Sequence, residues 1–198
     1  MTHAKNWALS TLAAILLSGC VSGPSTSVRL YQLSALPAKE ATPTRIASVG
    51  VGPIQWPEYL DRRSLLIRVD ANTLEANNGE RWAEPLDLNF SRVLRENLAA
   101  GLPSTRMVAF PWNTSDKPEI SIRVEVLRFD SDIHGVATLR ARWRFVARQT
   151  GGTTTEELGE WHTKGRDASP AAAVAALSET LAAMAKEIEI ALSKSQDR

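Results

Sequence analysis

The feature that most constrains the fold is a hydrophobic spacing that changes its period along the chain. The first half begins with short alternating or β-branched stretches, which are typical of strands, at residues 28–33, 46–54, 64–69 and 73–76. From Pro85 onward the apolar residues lie three or four positions apart, which predicts an amphipathic helix that ends near Gly101. Strands followed by one helix therefore occupy the first half.

The second half repeats this order. Strands are predicted at residues 105–110, 120–129, 139–147 and 153–163. The parity of the apolar residues shifts between Val126 and Leu127, which predicts a β-bulge, and Gly151-Gly152 predicts a hairpin turn before the last strand. Ser169 and Pro170 suit the N-cap and the first position of a long terminal helix.

The order of these elements predicts an α/β fold. We expect a mixed, largely antiparallel sheet packed by two main helices, including a long C-terminal helix. A strict strand–helix–strand alternation is missing, which argues against an all-parallel sheet. Residues 28–198 are predicted to form a single domain, because this length is sufficient for a substantial core.

The only cysteine, Cys20, follows an apolar run. A lone cysteine excludes an intramolecular disulfide and a thiolate metal site within one chain. Lys5, the uncharged run at residues 7–17 and the small residues Ser18 and Gly19 have the layout of a secretory signal peptide. Residues 1–19 are therefore predicted to be a signal peptide, and the run is too short for an ordinary membrane-spanning helix.

Residues 17–20, Leu-Ser-Gly-Cys, resemble the lipobox of bacterial lipoproteins. The resemblance implies a diacylglycerol on the sulfur of Cys20, cleavage before it and acylation of the new amino group. Several buried acyl chains would hold the protein firmly on a membrane. Residues 20–27 then form the lipidated cysteine and a short tether, which spans at most about 25 Å. A plain secretory signal with an incidental cysteine, or a retained anchor helix, remains open.

The charge balance excludes some classes of partner. Residues 1–19 contain one of the 23 Lys and Arg and none of the 22 Asp and Glu, so the rest of the chain is balanced. This argues against a nucleic-acid binder, which usually has a basic excess. Runs rich in Lys and Arg, which bind anionic lipid headgroups, are also missing from the sequence.

The sequence carries no recognisable catalytic or metal-binding motif. His134 and His162 lie outside any HExxH spacing, and no GxSxG, Walker-type or GxGxxG pattern is present. We interpret both histidines as surface residues. The protein is therefore predicted not to be an enzyme, and no cofactor or metal site is expected.

Arg140, Arg142 and Arg144 alternate along one predicted strand and so share one face of the sheet. Arg123 and Glu125 of the preceding strand are their expected neighbours. Two interpretations remain open. The face is either solvated and crossed by ion pairs between strands, or a strip of guanidinium groups that binds an acidic partner.

Two stretches, "QWPEYLDR" from Gln55 and "RWAEPL" from Arg81, combine large aromatic residues with proline and charge in or beside predicted loops. Such aromatics either fill a core or anchor a contact, since interfaces are enriched in Trp, Tyr and Arg. The candidate partner-binding residues are Trp56, Pro57, Tyr59, Leu60, Asp61, Arg62, Trp82 and Glu84.

These two stretches resemble the ABC-type transport auxiliary lipoproteins, the PqiC/YmbA group. Residues 49–62 resemble the family's Val-Gly-Pro…Pro-x-Tyr-Leu-Asp-Arg pattern, and residues 81–86 resemble its Trp-Ala-Glu-Pro-Leu. Tyr31 and Leu33 fit the early Tyr-x-Leu strand of the family. The helix that ends in Asn97-Leu98 and the long C-terminal helix fit as well.

The resemblance implies an outer-membrane lipoprotein that faces the periplasm, and the absence of Asp after Cys20 looks like outer-membrane sorting. It implies a non-enzymatic auxiliary component of an ABC/MCE-type intermembrane lipid transport system, which docks an MCE-domain protein at that membrane and needs no cofactor. A homo-oligomeric ring would suit the symmetric tip of an MCE tube. A stand-alone periplasmic lipid or small-ligand binding lipoprotein is the alternative.

Overall fold

The computed structural model describes residues 27–38, 40–148 and 156–195, with the side chain of residue 78 left out. The described part contains eight strands and two α-helices. Their bounds are β1 Arg29–Tyr31, β2 Ser48–Gln55, β3 Ser64–Arg68, β4 Leu74–Trp82, α1 Leu86–Gly101, β5 Arg106–Ala109, β6 Ile120–Asp132, β7 Val136–Ala147, β8 Glu157–Lys164 and α2 Pro170–Lys194. A single 3₁₀ turn, Glu58–Leu60, lies between β2 and β3.

All eight strands form one mixed sheet. Strand β6 is its centre, because β7 pairs with one edge of it while β2 and β3 both pair with the other. The antiparallel ladders are the longest, with eleven residue pairs between β6 and β7 and eight between β7 and β8. The longest parallel ladder, β2 with β6, has five. The predicted fold class is confirmed.

Strands β2 and β3 lie end to end along the same edge of β6. Strand β2 pairs with Ile120–Glu125, and β3 pairs in the same direction with Ser131–Asp132. The predicted bulge is also confirmed, because the β6–β7 register shifts between Val126 and Arg128. Residues 56–63 therefore interrupt what would otherwise be one long strand, beside the bulged part of β6.

The two helices cover one face of the sheet with the apolar stripes that their spacing predicts. On α1 the buried stripe includes Phe90, Val93, Leu94 and Leu98. On α2 it is Val174, Leu177, Leu181, Met184, Ile188 and Leu192. The Ser169 hydroxyl accepts a hydrogen bond from the Ala172 amide at 3.3 Å, so Ser169 is the N-cap as predicted.

The structure differs from the predicted strand bounds most at β4, while β6 ends and β7 begins three residues beyond their predicted limits and β1 is shorter than predicted. Strand β4 continues to Trp82, whereas the apolar pattern predicts its end near residue 76. Asn77 and Gly79 have low strand propensity, but pairing with β3 on one side and β1 on the other holds the extension in the sheet. The predicted Gly151-Gly152 turn and residues 1–26, including Cys20, lie outside the described residues.

Candidate partner-binding site

The first motif forms a short excursion between β2 and β3, which we call the motif segment (residues 56–63). The Leu60 amide donates to the carbonyl oxygen of Pro57 at 3.0 Å, and the Asp61 amide donates to that of Glu58 at 3.1 Å. The Trp82 amide donates to the Arg63 carbonyl at 2.7 Å, so the second motif holds the end of the first. Backbone hydrogen bonds thus fix the motif segment at several points.

An aromatic cluster supports this segment from below. The ring centroid of Trp56 lies 5.3 Å from that of Phe90 and 6.1 Å from that of Phe129. Phe90 and Phe129 are themselves 5.3 Å apart, and all three pairs meet edge to face, a favourable arrangement for aromatic rings. Helix α1 contributes Phe90 and strand β6 contributes Phe129, so the cluster joins the motif segment to both layers of the fold.

A buried carboxylate, that of Asp130, lies beside the same segment. It accepts hydrogen bonds from Arg68 at 2.8 Å and from Arg128 at 3.0 Å, and the Tyr59 hydroxyl lies 3.5 Å from its Oδ2. Burial raises the pKa of Tyr59, and the negative charge of Asp130 raises it further. The phenol therefore stays protonated and can donate to Asp130 at neutral pH.

Glu84 of the second motif connects three parts of the chain. Its carboxylate accepts hydrogen bonds from the Asn89 side chain and, at 3.0 Å, from Arg92. The hydrogen bond from Asn89, followed by that from Arg92, lowers the pKa of Glu84. The side-chain oxygen of Asn89 in turn accepts from the Leu33 amide at 2.7 Å. The second motif thus orders the segment that follows β1.

The structure divides the eight candidate residues by exposure. Leu60 and Trp82 are buried in the core, and Trp82 ends strand β4 rather than lying in a loop. Trp56, Pro57, Tyr59 and Glu84 are half-buried. Asp61 and Arg62 are exposed. A contact with a partner would therefore use the exposed tip, and the binding role of these residues stays a prediction.

Sequence reasoning missed the support beneath the tip. Asp130 looks like one more polar position in an alternating strand, yet its side chain is fully buried between two arginines. The one local signal was the bulge, which interrupts the alternation of β6 shortly before Asp130. The partnership with Arg68 depends on pairing of strands distant in sequence, which no local pattern shows.

The arginine row of β7 lies on the sheet face opposite the helices, and its members are crossed by glutamates. Arg142 contacts Glu125 at 2.6 Å and Glu156 at 3.0 Å. Arg144 contacts Glu156 at 3.3 Å, and Arg140 lies 3.8 Å from Glu160. These distances support the first interpretation, a solvated face crossed by ion pairs, for Arg140 and Arg142, while Arg144 has one longer contact.

Neither a metal-binding cluster nor a helix that could span a membrane is found within the described ranges. Within them, no group of three or more His, Cys, Asp or Glu is placed to hold a metal ion. His134 and His162 are exposed, and His162 contacts Thr138 and Glu160. None of the helices described is long and apolar enough to cross a membrane.

The family model described as "ABC-type transport auxiliary lipoprotein component" matches residues 31–189, most of the chain. The chain belongs to this family. The matched residues include both motifs, the Asp130 site and most of α2. The family consists of auxiliary transport lipoproteins and not of enzymes, so a membrane-anchored protein that assists a transporter is the supported class. No curated protein matched the chain.

Two crystal structures share the fold. A Xanthomonas campestris protein of the family DUF330 is 16% identical with a TM-score of 0.69, over 85% of this chain and 98% of its own. An uncharacterised protein is 18% identical with a TM-score of 0.70, over 84% and 99%. PelC from Paraburkholderia phytofirmans, a dodecamer, is 13% identical over 80% and 92%, but its TM-score of 0.42 is too low to transfer its subunit arrangement.

Proposed function

We propose that this protein is an outer-membrane lipoprotein that faces the periplasm and docks the MCE-domain protein of an ABC-type lipid transport system. The observation that carries the proposal is the family match over residues 31–189. The lipobox at Cys20 supports anchoring to a membrane. The resemblance to the PqiC/YmbA group supports the outer membrane and an MCE-domain protein as the partner. The role is non-enzymatic, because the family is defined by auxiliary transport components.

The geometry of the motif segment supports a docking role. The exposed residues Glu58, Asp61 and Arg62 stand on a turn that backbone hydrogen bonds and the aromatic cluster hold in place. A preordered turn loses little conformational entropy when a partner binds, so more of the contact energy appears as affinity. The motif segment is therefore the contact surface that we assign to the MCE-domain protein.

The lipid anchor would limit the distance between this contact surface and the membrane. With acyl chains on Cys20 and a tether that ends at residue 27, the domain stays within about 25 Å of the bilayer. A partner that spans the periplasm would then reach the membrane through this domain. A ring of copies around the tip of a symmetric MCE tube is part of this proposal, because head-to-tail contacts can close.

The test measures affinity between the full-length lipoprotein and the purified MCE-domain protein of the same system. Reversing both exposed charges with Asp61→Lys and Arg62→Glu should weaken binding at least about tenfold, because like charges at a contact repel. The matched control is Arg166→Glu, whose side chain is 87% exposed on the loop before α2. Absence of binding by the unchanged protein would reject the docking role, and an unchanged affinity in the variant would reject this surface.

A specific observation also favours the alternative, a lipid or small-ligand binding lipoprotein. A cavity of about 370 Å³ lies between α2 and the segment after β1, a volume within the usual range for ligand sites. Its apolar walls are Leu36, Pro37, Ala38, Ala182, Ala183 and Ala185. Asn97 also lines it, and the Asn97 Nδ2 atom is buried without a hydrogen-bond partner among the described residues.

Native mass spectrometry of protein extracted together with its lipids would test this alternative. If the cavity holds a ligand, a bound mass should be present in the unchanged protein and lost in Ala182→Trp, which fills the cavity. Ala99→Trp, at an exposed position of α1, is the control. A bare protein in both samples would reject the alternative.

A further inference from the structure

The face of the sheet that the helices leave uncovered contains two directly opposed pairs of arginines, and in one of them, Arg128 with Arg140, each member has a counter-ion. The β6–β7 register places Arg123 directly opposite Arg144. Directly opposed residues of an antiparallel pair have Cβ atoms about 5 Å apart, where like charges destabilise the pair. A sheet keeps such a pair at low cost only when anions surround it.

The two glutamates beside the Arg123 and Arg144 pair form their ion pairs with Arg142 and Arg144 and none with Arg123. Glu125 contacts Arg142, and Glu156 is shared between Arg142 and Arg144. Arg123 is exposed and has no ion pair within the described residues. Residues 149–155 are Gln, Thr and Gly and contain no carboxylate.

Arg144 is itself incompletely satisfied. Its contact with Glu156 is long at 3.3 Å, and its Nε atom is buried with no hydrogen-bond partner in the described part of the chain. Guanidinium groups prefer to bind a carboxylate through two parallel hydrogen bonds. The Arg123 and Arg144 pair therefore has donors and positive charge that no described residue satisfies.

A small cavity opens at this position. It measures about 90 Å³, and its lining includes Gln55, Arg123, Arg142 and Arg144 together with Glu125 and Glu156. This open cavity has room for one carboxylate or similar group. Three arginines and two glutamates leave a single positive charge to be neutralised at the site.

We propose that Arg123 and Arg144 bind one carboxylate, supplied by an acidic side chain of the MCE-domain protein. This inference rests on the proposed docking function and adds a second contact, lined by Gln55 at the end of β2, next to the motif segment. A single net charge suits a carboxylate better than a phosphate dianion, which Glu125 and Glu156 would repel. An anionic membrane surface is also less suited, because the glutamates nearly balance the arginines across the whole face.

The first experiment follows the Nε–H resonances of the arginine side chains by NMR during titration with sodium acetate. The resonances of Arg123 and Arg144 should shift and reach saturation, and Arg123→Gln should abolish the saturable shift of Arg144. The matched control Arg106→Gln, at an exposed position of β5, should leave it unchanged. Shifts that do not saturate, or that saturate at lower concentration with sodium phosphate, would overturn the carboxylate assignment.

The second experiment compares affinities for the MCE-domain protein and for vesicles of phosphatidylethanolamine with phosphatidylglycerol. Arg123→Glu should weaken protein binding at least about tenfold and Arg106→Glu less than about twofold, because only the first places a negative charge in the carboxylate site. Vesicle binding should not depend on Arg123, and a loss confined to vesicles would overturn the inference.

The two proposals fail in different ways. If the MCE-domain protein binds and Arg123→Glu binds equally well, this inference is wrong and the docking function stands. If the MCE-domain protein does not bind at all, the docking function is wrong. The acetate titration then decides whether the carboxylate site exists, but its assignment to that partner is overturned.

Discussion

Two carboxylates of this protein each lie between two arginines, but in opposite surroundings. Asp130, beside the motif segment, contacts Arg68 and Arg128 and is fully buried. Glu156, on the uncovered sheet face, contacts Arg142 and Arg144 and is 44% exposed. Water screens the exposed site and cannot screen the buried one. The ion pairs of Asp130 therefore stabilise the fold beside the motif segment, whereas those of Glu156 contribute little to stability.

The largest effect should come from the aromatic cluster beneath the motif segment. Phe90→Ala removes a fully buried ring that contacts Trp56 and Phe129, and should reduce the free energy of unfolding by about 3–5 kcal/mol. Urea denaturation measures it. The control Phe110→Ala removes an exposed ring and should cost less than half as much. Equal losses would show that the cluster is not a main support.

The next effect compares the two carboxylates directly. Asp130→Ala leaves Arg68, which is largely buried, without its counter-ion and should cost about 3 kcal/mol of unfolding free energy. Glu156→Ala removes an exposed pair and should cost less than about 1 kcal/mol. Both values come from urea denaturation at one pH and salt concentration. If both variants lose the same free energy of unfolding, burial does not explain the difference in stability that we expect between the two sites.

A smaller effect is expected on the pH dependence of the free energy of unfolding, through Glu84 of the second motif. Because the pKa of Glu84 is lowered in the folded state, its interactions stabilise the protein above the unfolded pKa of a glutamate, about 4.3. That stability is lost as the pH falls through the lower, folded pKa. Glu84→Gln should therefore flatten the decline of unfolding free energy between about pH 5 and pH 3. A slope equal to that of the unchanged protein would contradict this.

Much of the fold followed from local patterns. Both helices, their buried stripes, the Ser169 cap and the β-bulge were predicted correctly, because each depends on the spacing of a few neighbouring residues. The extension of β4 to Trp82 was missed, since strand partners override the weak propensity of Asn77 and Gly79. The parallel pairings were not predicted, because they join segments far apart in sequence.

The first motif illustrates the same limit at two glycines. The sequence shows only that "GVGP" has no helix after it and is not a phosphate site. In the fold, a Cβ atom at Gly50 would lie 2.8 Å from the Trp112 ring, and one at Gly52 would lie 2.6 Å from Phe110. Gly52 also has a φ of +135°, which disfavours other residues. The glycines make room for aromatic side chains from the loop after β5.

The sequence alone determined the class of fold, both helices and the family, because periodicity and short motifs are local properties of the chain. Only the tertiary structure decided that Leu60 and Trp82 lie in the core while Asp61 and Arg62 are exposed. It also decided which arginines have a counter-ion and that Arg123 has none among the described residues. Burial and charge pairing depend on which strands become neighbours, and that choice is made by the whole chain.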